Sequence, residues 1–525
     1  MRQSFFGFNV AVRGLYTSQR NLDIINNNIN NVNTPGYSRQ QAVQTASRPL
    51  PMLNGTGMVG TGSEVTAVNR VRDEYLDYKY WSENVSYGEW EVKKALLSEL
   101  EVTFNEPSNS GFSTILDEFF GSLQELSKDP TSESVRTLVK ERGVTLAKYF
   151  NSMANHFEQL QVDVNDRIEV TVDNINSLGT QIQQLNKQIY RSELDGNTAN
   201  SLRDQRALLI DKLSKLVNID ASEVVVGKLP NGKVDSRMSI TISGKPFIDH
   251  INISKLAITQ RGTKLNDEDV PSLYEVGWAD GNKLEVKGGT LKGYLDVRDG
   301  NDGENGSPAF SGIPSYIKKL DKFVKTFAKA FNEGHIDYNN DGTIGAGEDG
   351  AGHVDGYGVG VGATDGIRFF TMLGVGNQSL SSDDFNMVDY NDLKAKNFAV
   401  SSDILNNINN IATSGVDGEV GNTVNLKELI ELRTNTEMFV EGAPEDYMKA
   451  IVTTLGVNSQ QAVRFAANKT VIIEQIENSR LSESGVSLDE EMSNMVKQQQ
   501  AYSAAAQMIN AMAEVYDILI NRVGL

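Results

Sequence analysis

Residues 8–36 have the sequence FNVAVRGLYTSQRNLDIINNNINNVNTPG. Within them, apolar or small side chains recur at alternating steps of three and four residues. The positions are Phe8, Ala11, Leu15, Ser18, Leu22, Ile25, Ile29 and Val32. This spacing is typical of a heptad seam and predicts one amphipathic helix. Proline disfavours helix at the residue before it and glycine favours a turn, so Pro35 and Gly36 predict a helix end near Val32.

The C-terminal end of the chain has the same alternating spacing. Its seam positions are Leu488, Met492, Met495, Gln499, Tyr502, Ala506, Ile509, Ala513, Tyr516, Ile520 and Val523. Ser487 and, three residues later, Glu490 match a capping box, in which the two side chains satisfy free backbone N–H groups of a first helical turn. A second amphipathic helix is therefore predicted to begin there.

Two matched seams at the two ends predict that these helices need partners. A single stripe is usually the buried side of an ordinary surface helix. A terminal helix with one narrow stripe and no core of its own gains little from folding, because ordering each residue costs about 1–2 kcal/mol. We therefore expect the termini to pair with each other and with neighbouring copies of the chain, and to be poorly ordered in the free monomer.

The composition excludes several classes of protein. The chain has 525 residues, enough for about three or four domains, and no apolar run long enough to span a bilayer. Its formal net charge of -20 repels nucleic-acid backbones and anionic lipids. Without cysteine it forms neither a disulfide nor a thiolate site. The first residues do not have the pattern of a cleaved secretory signal.

Long helices alternate with β-rich segments in the middle of the chain. Helical periodicity covers residues 74–104, 112–127, 134–190, 199–217 and 314–332. Residues 219–286 instead contain short β-branched stretches separated by Asn-Gly and Asp-Gly, which are hairpin signals. Residues 334–376 are rich in glycine and acidic residues and predict loops and short strands.

These patterns predict an elongated, mainly α-helical multidomain protein with inserted β structure. Residues 1–70 and 483–525 would form a terminal helical coiled-coil region. Residues 71–218, 288–335 and 400–482 would form an elongated helical bundle domain. Residues 219–287 would be a β-rich insert, and residues 336–399 an insert of loops and strands. Because both ends belong to one region, the termini are expected at one end of the molecule.

Three motifs resemble the flagellar hook-associated protein 1 family. Residues 26–40, NNNINNVNTPGYSRQ, are similar to the N-terminal signature shared by flagellar rod, hook and hook-associated proteins, and the ending Tyr-Ser-Arg-Gln favours hook-associated protein 1. Residues 484–492 and 499–506 resemble the family's C-terminal signature, and residues 293–298 and 331–335 resemble its core. The resemblance covers most of the chain except the inserts.

The resemblance implies a structural subunit of the bacterial flagellum and no enzymatic activity. Such a protein would be exported unfolded through the flagellar type III apparatus, escorted by a chaperone, without a cleaved signal peptide. Outside the cell it would form a homo-oligomeric ring between hook and filament, in contact with hook protein and hook-associated protein 3. Its assembly surface here would be Leu15, Leu22, Ile25, Ile29, Val32, Met492, Met495, Tyr502, Ile509 and Ile520.

The end of the first predicted helix is unusually rich in asparagine. The residues are Asn26, Asn27, Asn28, Asn30 and Asn31. Asparagine is a weak helix former because its side chain competes for backbone hydrogen bonds. The run predicts either polar contacts between subunits or a frayed last turn that leads into the Pro35 turn.

Residues 337–348 fit the pattern of an EF-hand calcium loop. The oxygen ligands would be Asp337, Asn339, Asp341, Thr343 through its backbone carbonyl, and Glu348. Gly342 lies at the required sharp turn. The segment after Glu348 is not helical in pattern, so a solvated acidic turn without metal is an equal alternative. Calcium is thus a possible ligand.

The sequence leaves three alternative functions open. A hook or distal rod protein would share the Asn-Thr-Pro-Gly-Tyr motif but differ after Tyr37. A secreted calcium-binding adhesin has no need of paired terminal helices. An enzyme is the remotest alternative, because the four histidines are scattered without catalytic or zinc-binding spacing.

Overall fold

The computed structural model describes residues 6–51, 57–104, 111–336, 350–359, 363–374, 376 and 388–521. Over these residues the chain is mainly helical. The helices are α1 (Phe6–Asn30), α2 (Glu74–Phe104), α3 (Phe112–Lys128), α4 (Glu133–Leu194), α5 (Asn200–Leu216), α6 (Thr290–Asp299), α7 (Ile313–Glu333), α8 (Val388–Asn391), α9 (Ser402–Asn406), α10 (Val424–Glu431), α11 (Pro444–Ser484) and α12 (Leu488–Asn521). None of these helices is both long and apolar enough to cross a membrane.

The β structure consists of small antiparallel sheets. The strands are β1 (Gln40–Ala46), β2 (Leu50–Pro51), β3 (Met58–Val59), β4 (Ser63–Arg70), β5 (Ile219–Lys228), β6 (Val234–Ile242), β7 (Lys245–Asp249), β8 (Asn252–Ile253), β9 (Leu256–Gln260), β10 (Tyr274–Trp278), β11 (Phe370–Met372) and β12 (Phe398–Val400). Strands β5 to β8 form one sheet in sequence order. The pairs β1–β4, β2–β3, β9–β10 and β11–β12 form two-stranded sheets.

The predicted fold class is confirmed. Helix α2 coincides with the predicted range 74–104, α3 is one residue longer at its C-terminal end than predicted, and α5 is one residue shorter at each end. Helix α1 ends at Asn30, two residues before the predicted end. The segment predicted as a β-rich insert, residues 219–287, contains β5 to β10.

The core is built around α4, which has 62 residues. Helices α3, α5, α6 and α7 pack along it. Near its N-terminal end the core is a cluster of phenylalanines, in which the Phe323 ring of α7 lies 5.0 Å from Phe150 and 5.3 Å from Phe439 between centroids. Such ring pairs contribute about 0.5–1.5 kcal/mol each beyond their buried area. The cluster therefore joins α4 and α7 to the segment before α11.

The β-rich insert packs directly on the C-terminal half of α4. The Asn176 side chain donates to the carbonyl of Leu256 and accepts from its amide, both at 2.9 Å. Gly179 follows one turn later, and an ideal β-carbon there would lie 2.5 Å from the Phe247 ring and 2.8 Å from Ile253. The missing side chain at Gly179 thus allows the sheet to approach the helix backbone.

A buried arginine fixes the other end of α4. The Arg136 guanidinium donates to the carbonyls of Pro130 and Ile411, both at 2.8 Å, and to the hydroxyl of Thr413 at 3.3 Å. These partners are neutral oxygens, and burial lowers the pKa of Arg136 to about 10. Arg136 therefore attaches the start of α4 to the loop before α10.

We expect Gly179→Ala to destabilise the protein, because the added methyl would overlap Phe247. Overpacking of this kind costs about 1–3 kcal/mol. The matched control is Gly121→Ala in α3, where nothing lies within 4 Å of the added carbon. There the better helix propensity of alanine should stabilise by up to about 1 kcal/mol. Thermal unfolding would check both signs, and equal shifts for the two variants would contradict the close approach.

The structure also predicts a pH dependence of stability from His353. Its ring is buried, Nε2 accepts the Ala412 amide at 2.9 Å, and Nδ1 bonds the Ile367 carbonyl. Burial lowers the pKa of His353 to about 4 from an ordinary value of 6.5. The unfolded chain binds this proton first, so stability should fall as pH drops from 6.5 towards 4, by up to about 3 kcal/mol.

The measurement is the free energy of unfolding against pH for three proteins. His353→Gln should flatten the slope between pH 6.5 and 4. His156→Gln, at an exposed position of α4, should leave the slope unchanged. A His353→Gln slope equal to that of the parent protein would show that His353 does not titrate in this way.

Candidate assembly surface and its anchor

The two terminal helices lie against each other in antiparallel orientation. At one end, the Phe8 and Tyr516 rings meet edge to face with centroids 6.5 Å apart. In the middle, Asn21 donates to the Gln498 side chain at 3.4 Å. At the other end, Asn28 donates to Glu491 at 3.2 Å. The first and last described helices thus form one two-helix unit, with the β1–β4 ribbon packed on α1.

The predicted seam residues of the two helices differ in their exposure. On α1, Ile25 is buried and Leu15, Leu22 and Ile29 are half-buried. Val32, just after the helix, is also half-buried. On α12, Met495 and Ile509 are half-buried, whereas Met492, Tyr502 and Ile520 are exposed. In this single chain, therefore, α1 covers only part of the predicted α12 stripe.

The stripe of α12 that faces α1 combines predicted seam positions, such as Met495 and Ile509, with residues that precede a predicted position. Glu491, Gln498, Ala505 and Met512 each precede a predicted seam position by one residue, and each is half-buried or buried. Sequence periodicity could not identify this face, because the second half of α12 has alanine or larger apolar residues on nearly every side. A helix of this composition has more than one possible seam.

A second apolar stripe of α12 faces solvent. Its residues follow the same three-and-four spacing and are all exposed: Ala501, Ala504, Met508, Ala511, Val515 and Ile518. Near the start of the helix, Leu488, Met492 and Val496 are also exposed. A helix that is apolar on all sides is normally buried on all sides. We call the six residues from Ala501 to Ile518 the outer stripe.

Asn28 is the centre of a polar cluster at the base of the helix pair. Its side chain is 1% exposed. Besides its bond to Glu491, Asn28 donates to the Gln40 carbonyl at 2.9 Å and accepts from the Gln40 amide at 2.9 Å and from the Tyr37 hydroxyl at 2.8 Å. Burial and the negative charges of Asp204 and Glu491 raise the pKa of Tyr37 to about 12, so its hydroxyl keeps its proton.

Arg39 completes this cluster from the loop after α1. Its guanidinium contacts Glu490 and Glu491, each at 2.9 Å. Its backbone amide donates to the Ser484 carbonyl at 2.8 Å, at the end of α11. The predicted start of α12 after Ser487 is correct. The Glu490 carboxylate, which was predicted to cap the first turn, instead pairs with Arg39. The loop therefore holds both ends of the chain at one point.

For Asn28, neither interpretation of the asparagine run applies. It is neither in a frayed turn nor available to another subunit, because its hydrogen bonds lie within this chain. Asn31 bonds back to the Asn27 carbonyl at 2.8 Å. Propensity alone treated the five residues alike, and only a position inside the helix pair distinguishes Asn28 from its exposed neighbour Asn26.

The same loop attaches the helix pair to the rest of the molecule. The Ser38 amide donates to Asp204 of α5 at 3.2 Å, and Arg70 at the end of β4 contacts the same carboxylate at 2.9 Å. Gly36 has φ +77, a left-handed conformation, and an added β-carbon would lie 3.3 Å from Leu208 of α5. Glycine is therefore suited to this turn on both counts.

A second group of charges connects α2, α5 and α11 just beyond the loop. Arg480 of α11 contacts Asp77 of α2 at 2.7 Å and Asp211 of α5 at 3.1 Å, and lies over the Tyr80 ring at 4.4 Å. Arg72 pairs with the same Asp77 at 2.5 Å. These contacts hold together the two segments of the chain that connect the terminal helices to the other helices.

The five candidate calcium ligands lie outside the described residues, so calcium binding stays a prediction from the sequence. Among the described residues, no group of three or more His, Cys, Asp or Glu side chains is arranged to hold a metal ion.

Three family models match successive parts of the chain. The model described as flagella basal body rod protein matches residues 8–37, which include α1. The model described as flagellar hook-associated protein FlgK helical domain matches residues 97–347, which include α3 to α7. The model described as flagellar basal body rod FlgEFG protein C-terminal matches residues 477–522, which include α12.

Whole-chain relatives agree with these matches. The chain is 24% identical over 575 residues to flagellar hook-associated protein 1 of Escherichia coli, covering 98% of this chain and 99% of that protein. The structure of the flagellar hook junction protein FlgK from Burkholderia pseudomallei has a similar fold, with a TM-score of 0.54, 16% identity, and coverage of 78% of this chain and 100% of that one. Flagellar hook-associated protein 1 of Bacillus subtilis is 32% identical over 547 residues, covering 100% of this chain and 99% of that protein. This chain belongs to the flagellar hook-associated protein 1 family.

Proposed function

We propose that this chain is a structural subunit at the junction between flagellar hook and filament, and that it assembles through α1 and α12. The observation that carries the proposal is the outer stripe, which is exposed and which none of the described parts of the chain covers. Burying an exposed Val, Ile or Met side chain contributes about 1.5–3 kcal/mol. Contact between the stripe and a neighbouring helix would therefore favour association strongly.

Neighbouring copies of this chain are the first partners of this surface. Closed rings arise when one surface of a subunit meets a different surface of the next, and α12 offers both the outer stripe and the exposed residues near Leu488. Hook protein on one side and hook-associated protein 3 on the other are the further partners. A flagellar export chaperone would bind the chain before export, and the assembled protein would be extracellular. We propose no catalytic role.

A hook or distal rod protein is the second candidate, because rod-type family models match both ends of the chain. The middle of the chain distinguishes the two. Residues 97–347 match the hook-associated helical domain, and the Bacillus subtilis relative covers the complete chain. These matches support the junction role.

Charging the outer stripe should abolish assembly without unfolding the chain. Val515 and Ile518 are 49% and 47% exposed, so Val515→Lys with Ile518→Lys removes little from the folded monomer. A deletion strain that produces this variant should keep its hooks but shed filament protein into the medium. Electron microscopy and immunoblotting of the medium would measure both. The matched control is Val457→Lys with Val471→Lys, at two exposed valines of α11, 58% and 63% exposed.

Normal filaments with the α12 variant would contradict the proposed surface. Loss of filaments with both double variants would indicate a general effect of added lysines. Circular dichroism of the purified proteins would show whether either variant loses helix.

The terminal helices should also be the least stable helices of the free monomer. The α12 side chains are mostly exposed, whereas α4 buries a side chain at almost every turn. Backbone amides open more readily where few apolar contacts hold them. Amide hydrogen exchange of the monomer should therefore be fast in 8–30 and 495–521 and slow in 146–189. Equally slow exchange in all three segments would contradict this expectation.

A further inference from the structure

The apolar contact between α1 and α12 does not by itself define how far one helix slides along the other. Alanines occur throughout the second half of α12, at Ala501, Ala504, Ala505, Ala506, Ala511 and Ala513. A slide by one heptad would bring one set of small or apolar side chains in place of another. Such a slide moves the helix by about 10 Å.

The polar cluster at the base responds differently to such a slide. Asn28 and Glu491 are 1% and 2% exposed and bond each other, and Glu491 also pairs with Arg39. One heptad further along α12 is Gln498, which has no charge to offer Arg39. A slide would leave buried polar groups without partners, and each such loss is costly.

We propose that Asn28, Arg39 and Glu491 act as a register lock, which fixes the axial position of α12 against α1. In helix pairs with an apolar seam, a single buried polar contact is known to select one register at some cost in stability. The lock rests on the proposed assembly function, because the register decides where along the axis each subunit presents its outer stripe. Asn28, Arg39 and Glu491 are thus positioning residues.

The register can be measured in the monomer by chemical crosslinking, because the chain has no cysteine of its own. Asn21→Cys with Gln498→Cys reports the observed register, since these two side chains touch. Asn21→Cys with Ala505→Cys reports a slide of one heptad. Each pair is treated with a short bismaleimide crosslinker at low protein concentration, and the crosslinked fraction is read on a denaturing gel.

Each cysteine pair is tested in three backgrounds. The first is the parent sequence, in which the Gln498 pair should react and the Ala505 pair should not. The second is Asn28→Leu with Glu491→Leu, which removes the lock. The third is the control Asn26→Leu with Asp489→Leu, which adds the same two leucines at exposed positions of the same helices and removes one acid from the same first turn of α12.

Without the lock, the ratio of Ala505 to Gln498 crosslinking should rise by about tenfold. The shifted register would then no longer leave buried polar groups without hydrogen-bond partners. The control should keep the parent ratio. Simple unfolding of the pair would also bring the two yields together, but both would then fall well below the parent Gln498 yield. The summed yield is therefore read beside the ratio: a raised ratio with the parent's summed yield supports the lock, and an unchanged ratio or a collapse of the summed yield overturns it.

The result is separate from the proposed function, because it is obtained without assembly. Should the ratio shift while filaments still form in cells, the lock exists but assembly tolerates a second register. If the crosslinking ratio stays constant while the charged outer-stripe variant loses filaments, the result supports assembly through α12 and contradicts the register lock.

Discussion

The structure depends on the contact that brings the two ends of the chain together. Asn28 and Glu491 are 463 residues apart in sequence and within hydrogen-bond distance in space. All the elements from β1 to α11 lie between them in the chain, so this contact brings the two ends of the structure into one unit. The contact belongs to a polar cluster, whereas the seam between α1 and α12 further along the helices is mainly apolar. Polar contacts require defined distances and directions, whereas apolar contacts tolerate sliding, so the polar cluster supplies the geometry and the apolar stripes supply the attraction.

Contacts among α2, α5 and α11 hold the two connections to the terminal helices close together. Helices α2 and α11 pack along each other, and Arg480 of α11 lies between Asp77 and Asp211. Burial alone would lower the pKa of Arg480, but the two carboxylates raise it, so the arginine stays charged. The two connections to the terminal helices therefore leave the body side by side. Joining α1 to α12 then requires ordering only short segments, which limits the entropic cost of closing so long a loop.

The sequence predicted the helices well because long periodic segments carry a strong signal. Helix α2 was predicted with its observed bounds, and the two terminal helices were identified from their heptad spacing. The face of α12 that contacts α1 was predicted only in part: Met495, Ile509 and Tyr516 lie on it, but periodicity could not choose between Ala505 and Ala506, which are equally suited to a seam. Asn28 was not separated from Asn26 and Asn27 for a related reason. Its role depends on Glu491, which is 463 residues away, and on Tyr37 and Gln40, which follow the Pro35 turn. Neither propensity nor spacing relates these positions to Asn28.

Because α4 is long, small movements at the base of the terminal helices have a large effect at its far end. At 1.5 Å per residue its 62 residues extend for about 90 Å. Its C-terminal end lies beside the base, where Asn200 of α5 donates to the Val68 carbonyl of β4, while its N-terminal end is held by Arg136 at the far side of the core. A rotation of α4 by one degree about its C-terminal end would therefore move its N-terminal end by more than an ångström. The ion pairs at the base, among them those of Arg480 with Asp77 and Asp211, therefore limit how far the opposite end of α4 can swing.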